Sequence, residues 1–276
     1  MVTAARIDEL ANRGWPAIET HAIEGWIVRA SHGVTRRANS VLPFGHVDDL
    51  NRAIDEVEKA YRAREIRPAF QLSPASRPQG LAARLERRGY TEEGETLILI
   101  APTERVIQAA NSHAVGHSDA QPPRPASAPT VAVHPEPSDD WLSLWWHVDG
   151  RGGHDKRDVA RRILIGTPAL YATVRHDDSV LAVGRLALVD DWGGLYALAT
   201  RPEHRRLGHA RRVVATLANH ALRSGAVCLW LQVLAANEAA LALYLSLGFE
   251  PVSGYAYWVA PAGTASADFT LPSIPA

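Results

Sequence analysis

The chain is short of sulfur. Its 276 residues hold one cysteine, Cys228, and one methionine, Met1. A lone cysteine excludes a disulfide within the chain and a cysteine-built metal cluster. Cys228 falls in the apolar run 226–233, where a thiol is expected to behave as a small, inert core residue. Lysine is almost as scarce: Lys59 and Lys156 are the only two, so the basic side of the charge balance is arginine. The net charge of −1 offers no electrostatic basis for gripping a nucleic acid. No apolar run approaches the length of a bilayer span. Asp8 and Glu9 stand where a secretory leader would be apolar. The expectation is a cytoplasmic protein with no membrane, nucleic-acid or metal partner.

What is present is an apolar fraction of 46 % over a length that suits two domains. Residues 4–20 read as a short helix, and 25–29 and 38–42 as strands. Asp48 or Asp49 opens an amphipathic helix with Leu50, Ala53, Ile54, Val57, Ala60 and Tyr61 on one face. A strand at 68–72, a helix at 78–88, the pair Gly89-Tyr90 and a strand at 96–100 follow. Residues 101–129 begin with a short helical stretch over 103–110. They then turn rich in alanine, proline, serine and histidine, as a linker does. Beyond it come a strand at 131–134, a helix capped by Ser138, a glycine-broken bend at 149–153 and a helix at 155–165. A hairpin of 170–175 and 180–189 crosses Asp177-Asp178, and a strand at 194–200 follows. The tail from 261 onward reads like the linker.

The stretch 198–212, LATRPEHRRLGHARR, organises the second half. It reads as a strand end, a tight turn and a helix start. Gly208 permits backbone conformations and close approaches that a side chain would block. Apolar residues at Ala210, Val213, Val214, Leu217, Ala218, Ala221 and Leu222 then mark one helical face ending at Gly225. A strand feeding a small-residue turn at a helix N-terminus gathers unpaired N–H groups and the positive end of the helix dipole, which suits an anion. After the strand at 226–233, Asn237 caps a second helix that carries Tyr244 and stops at Gly248-Phe249.

This order, with Arg205-x-x-Gly208-x-Ala210, Asn237 and Tyr244-x-x-x-Gly248-Phe249, resembles the GCN5-related N-acetyltransferase (GNAT) superfamily over about residues 130–260. The first half repeats the order of elements. Aligning Gly89-Tyr90 with Gly248-Phe249 sets Leu85 against Tyr244 and Pro78 against Asn237. Leu42-Pro43-Phe44-Gly45 stands where the arginine–glycine turn would be. Gly25-Trp26, followed by Thr35-Arg36-Arg37-Ala38-Asn39-Ser40, looks like the first half of one group of tandem GNAT proteins. The resemblance implies a mixed α/β (α+β) fold of two GNAT-like domains, each a largely antiparallel mixed sheet flanked by helices. The first, 1–104, is a truncated, degenerate copy unable to hold coenzyme A (CoA). A linker (105–129), a catalytic domain (130–261) and a flexible tail (262–276) follow.

The resemblance further implies an enzyme moving an acetyl group from acetyl-CoA directly to a primary amine of a small molecule or of a peptide or protein N-terminus. Arg205, Arg206, Leu207, Gly208, His209, Ala210 and Arg211 would form the pyrophosphate cradle. The backbone of Leu198, Ala199 and Thr200 would pair with the pantetheine arm as an added strand does. Asn237 would meet the cofactor, and Tyr244 would protonate the departing thiolate. The general base is missing. The glutamate of the ribosomal-protein alanine acetyltransferases falls at Gln232, and that of the histone-acetylating branch falls near Gly194. Asp190, Asp191, Tyr196 or a water chain remain. Trp141, Trp145, Trp146 and Trp192, with Asp139, Asp140, Asp149, Asp190 and Asp191, suit a cationic acceptor. Arg36, Arg37 and Asn39 are placed to close that cleft at a domain junction. The rival reading is a non-catalytic acyl-CoA-binding or sensing module.

Overall fold

Helices form where apolar residues recur every three or four positions and an oxygen waits at the N-cap. Thr3 caps α1 (Ala4–Gly14) and Asp49 caps α2 (Leu50–Arg62). Ser138 caps α5 (Asp139–Asp149) and Asn237 caps α8 (Glu238–Ser246). The remaining helices are α3 (Leu81–Arg87), α4 (Thr103–Val115), α6 (Arg157–Ile165) and α7 (His209–Arg223). The strands are β1 (Glu19–Ile23), β2 (Trp26–Ala30), β3 (Val41–Leu42), β4 (Ala69–Leu72), β5 (Thr91–Pro102) and β6 (Thr130–His134), then β7 (Ala169–His176), β8 (Ser179–Val189), β9 (Trp192–Thr200), β10 (Cys228–Leu234) and β11 (Glu250–Val259). These come from a computed structural model, which describes residues 2–115, 128–150, 153 and 156–263.

All eleven strands join one sheet in the order β1-β2-β3-β4-β11-β5-β10-β9-β8-β7-β6. Only β3–β4 and β9–β10 pair parallel. This is a mixed α/β fold with a large, mostly antiparallel sheet. Its order is interleaved: β5 lies between β10 and β11, while β11 lies between β4 and β5. Over the C-terminal strands, α1, α5 and α6 cover one face, burying Trp15, Trp141, Trp145, Tyr171 and Trp230. Helices α4, α7 and α8 cover the other, burying Val106, Val213, Leu217, Leu229 and Phe249. Helices α2 and α3 pack on the N-terminal strands around Trp26, Val57, Phe70 and Leu85. No described helix is long and apolar enough to cross a membrane.

Several expectations need adjusting. The helix read over 4–20 ends at Gly14 and β1 starts at Glu19, and the strand read at 38–42 is a 3₁₀ turn over Arg36–Ala38 followed by the two residues of β3. The stretch read as linker begins with a packed helix, because α4 runs from Thr103 to Val115 and its Val106 is wholly buried against α7. The rest of that linker, residues 116–127, and the tail from 264 lie outside the described residues. The strand expected at 96–100 is also longer, starting at Thr91. Both Gly-aromatic turns are alike: Tyr90 N–H returns to the Leu85 carbonyl and Phe249 N–H to that of Tyr244, each over a glycine with positive φ.

Candidate functional site: a parted strand pair beside an open helix N-terminus

Strands β9 and β10 pair from Trp192–Cys228 as far as Leu195–Leu231 and then separate, although both continue. The cause is local. Ala197 sits at φ +51°, and the register between β8 and β9 slips across Val183 and Arg185. The extra residue bends β9 away from its parallel neighbour. The edges of Leu198, Ala199 and Thr200 on one side and of Gln232 to Leu234 on the other therefore border a gap.

At the end of β9 a 3₁₀ turn (Pro202–His204) leads to Arg206 at φ +67° and Gly208 at φ +77°, and α7 begins. Among the described residues, none bonds the backbone N–H groups of residues 206–211. A Cβ built on Gly208 would meet nothing within 4 Å. An open space faced by free N–H groups at a helix N-terminus fits a phosphate-bearing ligand. Arg205, Arg206 and Leu207 are exposed around it, and Ala210 is half-buried. His209 is buried, and that burial, with Arg212 nearby, lowers its pKa, so neutrality is favoured. Arg211 donates to Ser246 Oγ at 2.7 Å, tying α7 to α8, and keeps an enclosed Nη1 without a partner.

Asn237 Oδ1 accepts from Ala240 N–H at 3.1 Å as an N-cap should. Tyr244, 8 % exposed, packs edge-on against Phe249. Among the described residues no hydrogen bond ties its hydroxyl, and burial pushes its pKa up to about 12.

On the opposite face, Tyr196 and Gln232 are the first residues beyond the point where the strands part. Tyr196 Oη accepts from Trp230 Nε1 at 3.1 Å and donates to the Ala11 carbonyl at 3.2 Å. Burial raises its pKa to about 12, so it is no proton acceptor at neutral pH. Gln232 Oε1 accepts from Tyr255 at 3.3 Å, and its Nε2 is enclosed without a partner. Gly194 is a bed for aromatic rings: a Cβ there would lie 2.4 Å from Trp230 Cζ2, so no acid side chain fits. Arg37 arrives from the N-terminal half. It lies 5.5 Å from the ring centres of both Trp15 and Tyr196, with Tyr255 within electrostatic reach. Neighbouring Arg36 pairs with Glu93 at 2.9 Å. Asn39 shapes this loop, accepting from the N–H groups of Ser31 and Gly33 and donating to the carbonyls of Val34 and Thr35.

The acidic and aromatic acceptor surface expected from sequence is not assembled at the gap. Asp190 and Asp191 form the β8–β9 turn, at the end of β9 remote from the cradle. Asp190 is held by Arg13 and Arg6, which lower its pKa. Asp140 pairs with Arg175, and Asp139 with Arg161. Trp141 and Trp145 are core residues, 0 % and 2 % exposed. Trp146 packs half-buried against Trp145, and Trp192 opens β9 at its remote end. Sequence reasoning weighed Arg37 only as a closing residue. Tyr255 and Tyr257 it missed, and their i, i+2 alternation after Gly248-Phe249 was the available signal. Among the described residues no group of His, Cys, Asp or Glu is arranged to hold a metal.

A family model described as "Probable histone acetyltransferase Rv0428c C-terminal" matches residues 4–258. The chain is 28 % identical over 253 residues to the uncharacterized N-acetyltransferase YobR of Bacillus subtilis, covering 91 % of this chain and 96 % of that one. Over 73 residues it is 40 % identical to the [ribosomal protein bS18]-alanine N-acetyltransferase of Salmonella typhimurium, covering 26 % of this chain and 49 % of that protein. Among solved structures, a GCN5-related N-acetyltransferase from Kribbella flavida superposes with a TM-score of 0.65 at 19 % identity, covering 95 % and 97 % of the two chains.

Proposed function

Since the chain belongs to the GNAT acetyltransferase family, we propose that it takes acetyl-CoA as donor and passes the acetyl group directly to a primary amine. The observation that carries this reading is the strand gap opening beside the cradle of free N–H groups at residues 206–211. The cradle would hold the pyrophosphate. The free edge of Leu198, Ala199 and Thr200 would hold the pantetheine arm by main-chain hydrogen bonds. Asn237 would border it as the cap of α8. Acetyl-CoA would supply an activated thioester. The protein would orient it, exclude water, and keep a proton on Tyr244 Oη for the departing thiolate. Gln232 stands where a base is expected and takes no proton at neutral pH, so the amine must arrive neutral or lose its proton to water. That same residue is the one observation favouring a non-catalytic acyl-CoA-binding module. Relatives named for a ribosomal-protein alanine and for histones make a peptide amine one acceptor class to test.

The first experiment is calorimetric titration of acetyl-CoA into the wild type and Gly208→Trp. Wild-type binding that falls at least about a hundredfold in the variant is expected, because an indole would fill the open space and strain the positive φ. Equal binding by both proteins would move the donor site elsewhere. No binding by the wild type would withdraw the assignment.

A further inference from the structure

Four arginines gather on the α1 face behind the gap, and only two have a carboxylate nearby. Arg36 pairs with Glu93, and Arg29 feels Asp8. Arg185 is wholly buried and uses backbone carbonyls instead, Leu164 at 2.9 Å and Gly14 at 2.7 Å. Arg37 has neither. No carboxylate among the described residues pairs with it, and its Nε is enclosed without a partner. Its guanidinium leans on Trp15 and on Tyr196 of β9. Tyr255, within electrostatic reach of it, donates its hydroxyl to Gln232 of β10. Arg37 thus sits beside the point where the two strands part.

An arginine stays charged at every working pH, and holding that charge away from water without a counter-ion is costly. The side chain is half-buried, so a ligand can still reach it. Gln232 Nε2 is a second unspent donor on the same face. A guanidinium fork matches the two coplanar oxygens of a carboxylate, and an amide N–H on the same face can add a third donor. The surrounding rings exclude water and strengthen such a bond. The pieces come from distant parts of the chain, and Arg37 is delivered by a loop that Asn39 fixes through four hydrogen bonds. Thr35 in that loop sits at φ +56°, an uncommon backbone for a β-branched residue, and its Oγ1 accepts from Trp15 Nε1 at 3.1 Å.

We propose that Arg37, assisted by Gln232, anchors a carboxylate of the acceptor, so that the acceptor is an amino acid or a close analogue carrying amine and carboxylate a few atoms apart. This rests on the acetyl-transfer reading for which group reacts. The anchoring itself can be read without turnover.

The test is thermal unfolding of the full chain with each common α-amino acid at millimolar concentration, beside the matching carboxamides and inorganic phosphate. At least one amino acid is expected to raise Tm by a few degrees, and its carboxamide and phosphate are not. The rise should vanish in Arg37→Met and persist in part in Arg37→Lys. Without ligand, Arg37→Met should melt no lower than wild type, because methionine removes an uncompensated charge. Tyr255→Phe, which removes the phenol that holds Gln232, should weaken the rise and serves if Arg37→Met does not fold. In a CoA-release assay the amino acid should exceed its carboxamide about tenfold or more in kcat/KM, and Arg37→Met should lose that preference chiefly through KM. The proposal is overturned if no amino acid shifts melting, if carboxamides or phosphate shift it equally, or if the rise survives in Arg37→Met. Acetyl-CoA titration separates the two ideas. An amino-acid shift without donor binding sinks the transfer reading and keeps the anchor. Donor binding without the shift does the reverse.

Discussion

Tyr244 is protonated at every physiological pH, because burial lifts its pKa to about 12. A donor to a departing thiolate needs that state. Tyr244→Phe removes only the oxygen from a ring already packed against Phe249. The variant is expected to fold normally and bind acetyl-CoA as wild type does. Its kcat should fall on the order of a hundredfold, as for loss of a general acid. Steady-state rates beside calorimetry check this, and unchanged kcat would remove the phenol from the reaction. The wild-type rate should show no alkaline limb from this group below about pH 10.

Helix α1 illustrates how one element is docked by charge. It leans on β8, β9 and β11, with Arg6 and Arg13 reaching Asp190 and Asp8 turned inward. Asp8 is 1 % exposed; one oxygen accepts from Ser73 Oγ and the other has no partner. Burial raises its pKa to about 6, opposed by the Ser73 bond and by Arg29. The folded chain therefore holds this proton more tightly than the unfolded chain. Ionised Asp8 costs stability above about pH 6, and the cost disappears as pH falls toward about 4. Asp8→Asn should gain on wild type by on the order of 1–3 kcal/mol near pH 8 and by much less near pH 4. Melting curves at both pH values decide it, and a difference independent of pH would refute the assignment. Helix α7 was legible by its apolar period and α8 by its Asn237 cap and Gly248 stop, because these signals are local. The early part of β5, with Glu92, Glu93, Gly94 and Glu95, was not. Its membership rests on main-chain pairing to β11, which leaves no apolar alternation. The place of Arg37 was hidden for a similar reason. It depends on strands β9, β10 and β11, all far away in sequence.

At the scale of the molecule, the two halves of the chain complete each other. β5 pairs along β10 on one side and along β11 on the other, while β11 reaches across to β4. The Gly-aromatic turns before β5 and β11 share one hydrogen-bond pattern. Whatever their origin, the halves are not expected to be separable. A protein beginning at residue 128 would leave facing edges of β10 and β11 bare. It should be insoluble or aggregated when expressed alone, and recover when residues 2–115 are co-expressed. Size-exclusion chromatography reads the outcome, and a soluble monomer with native circular dichroism would contradict it.

The same interleaving sets a timetable for biosynthesis. β5 leaves the ribosome long before either of its neighbours exists, and at ordinary rates of translation the delay is on the order of ten seconds. Through that interval the nascent chain carries a long unpaired strand ending in the apolar run Leu97 to Ala101. Such a strand is open to aggregation until its partners arrive, and the final fold can close only after the last strand has emerged.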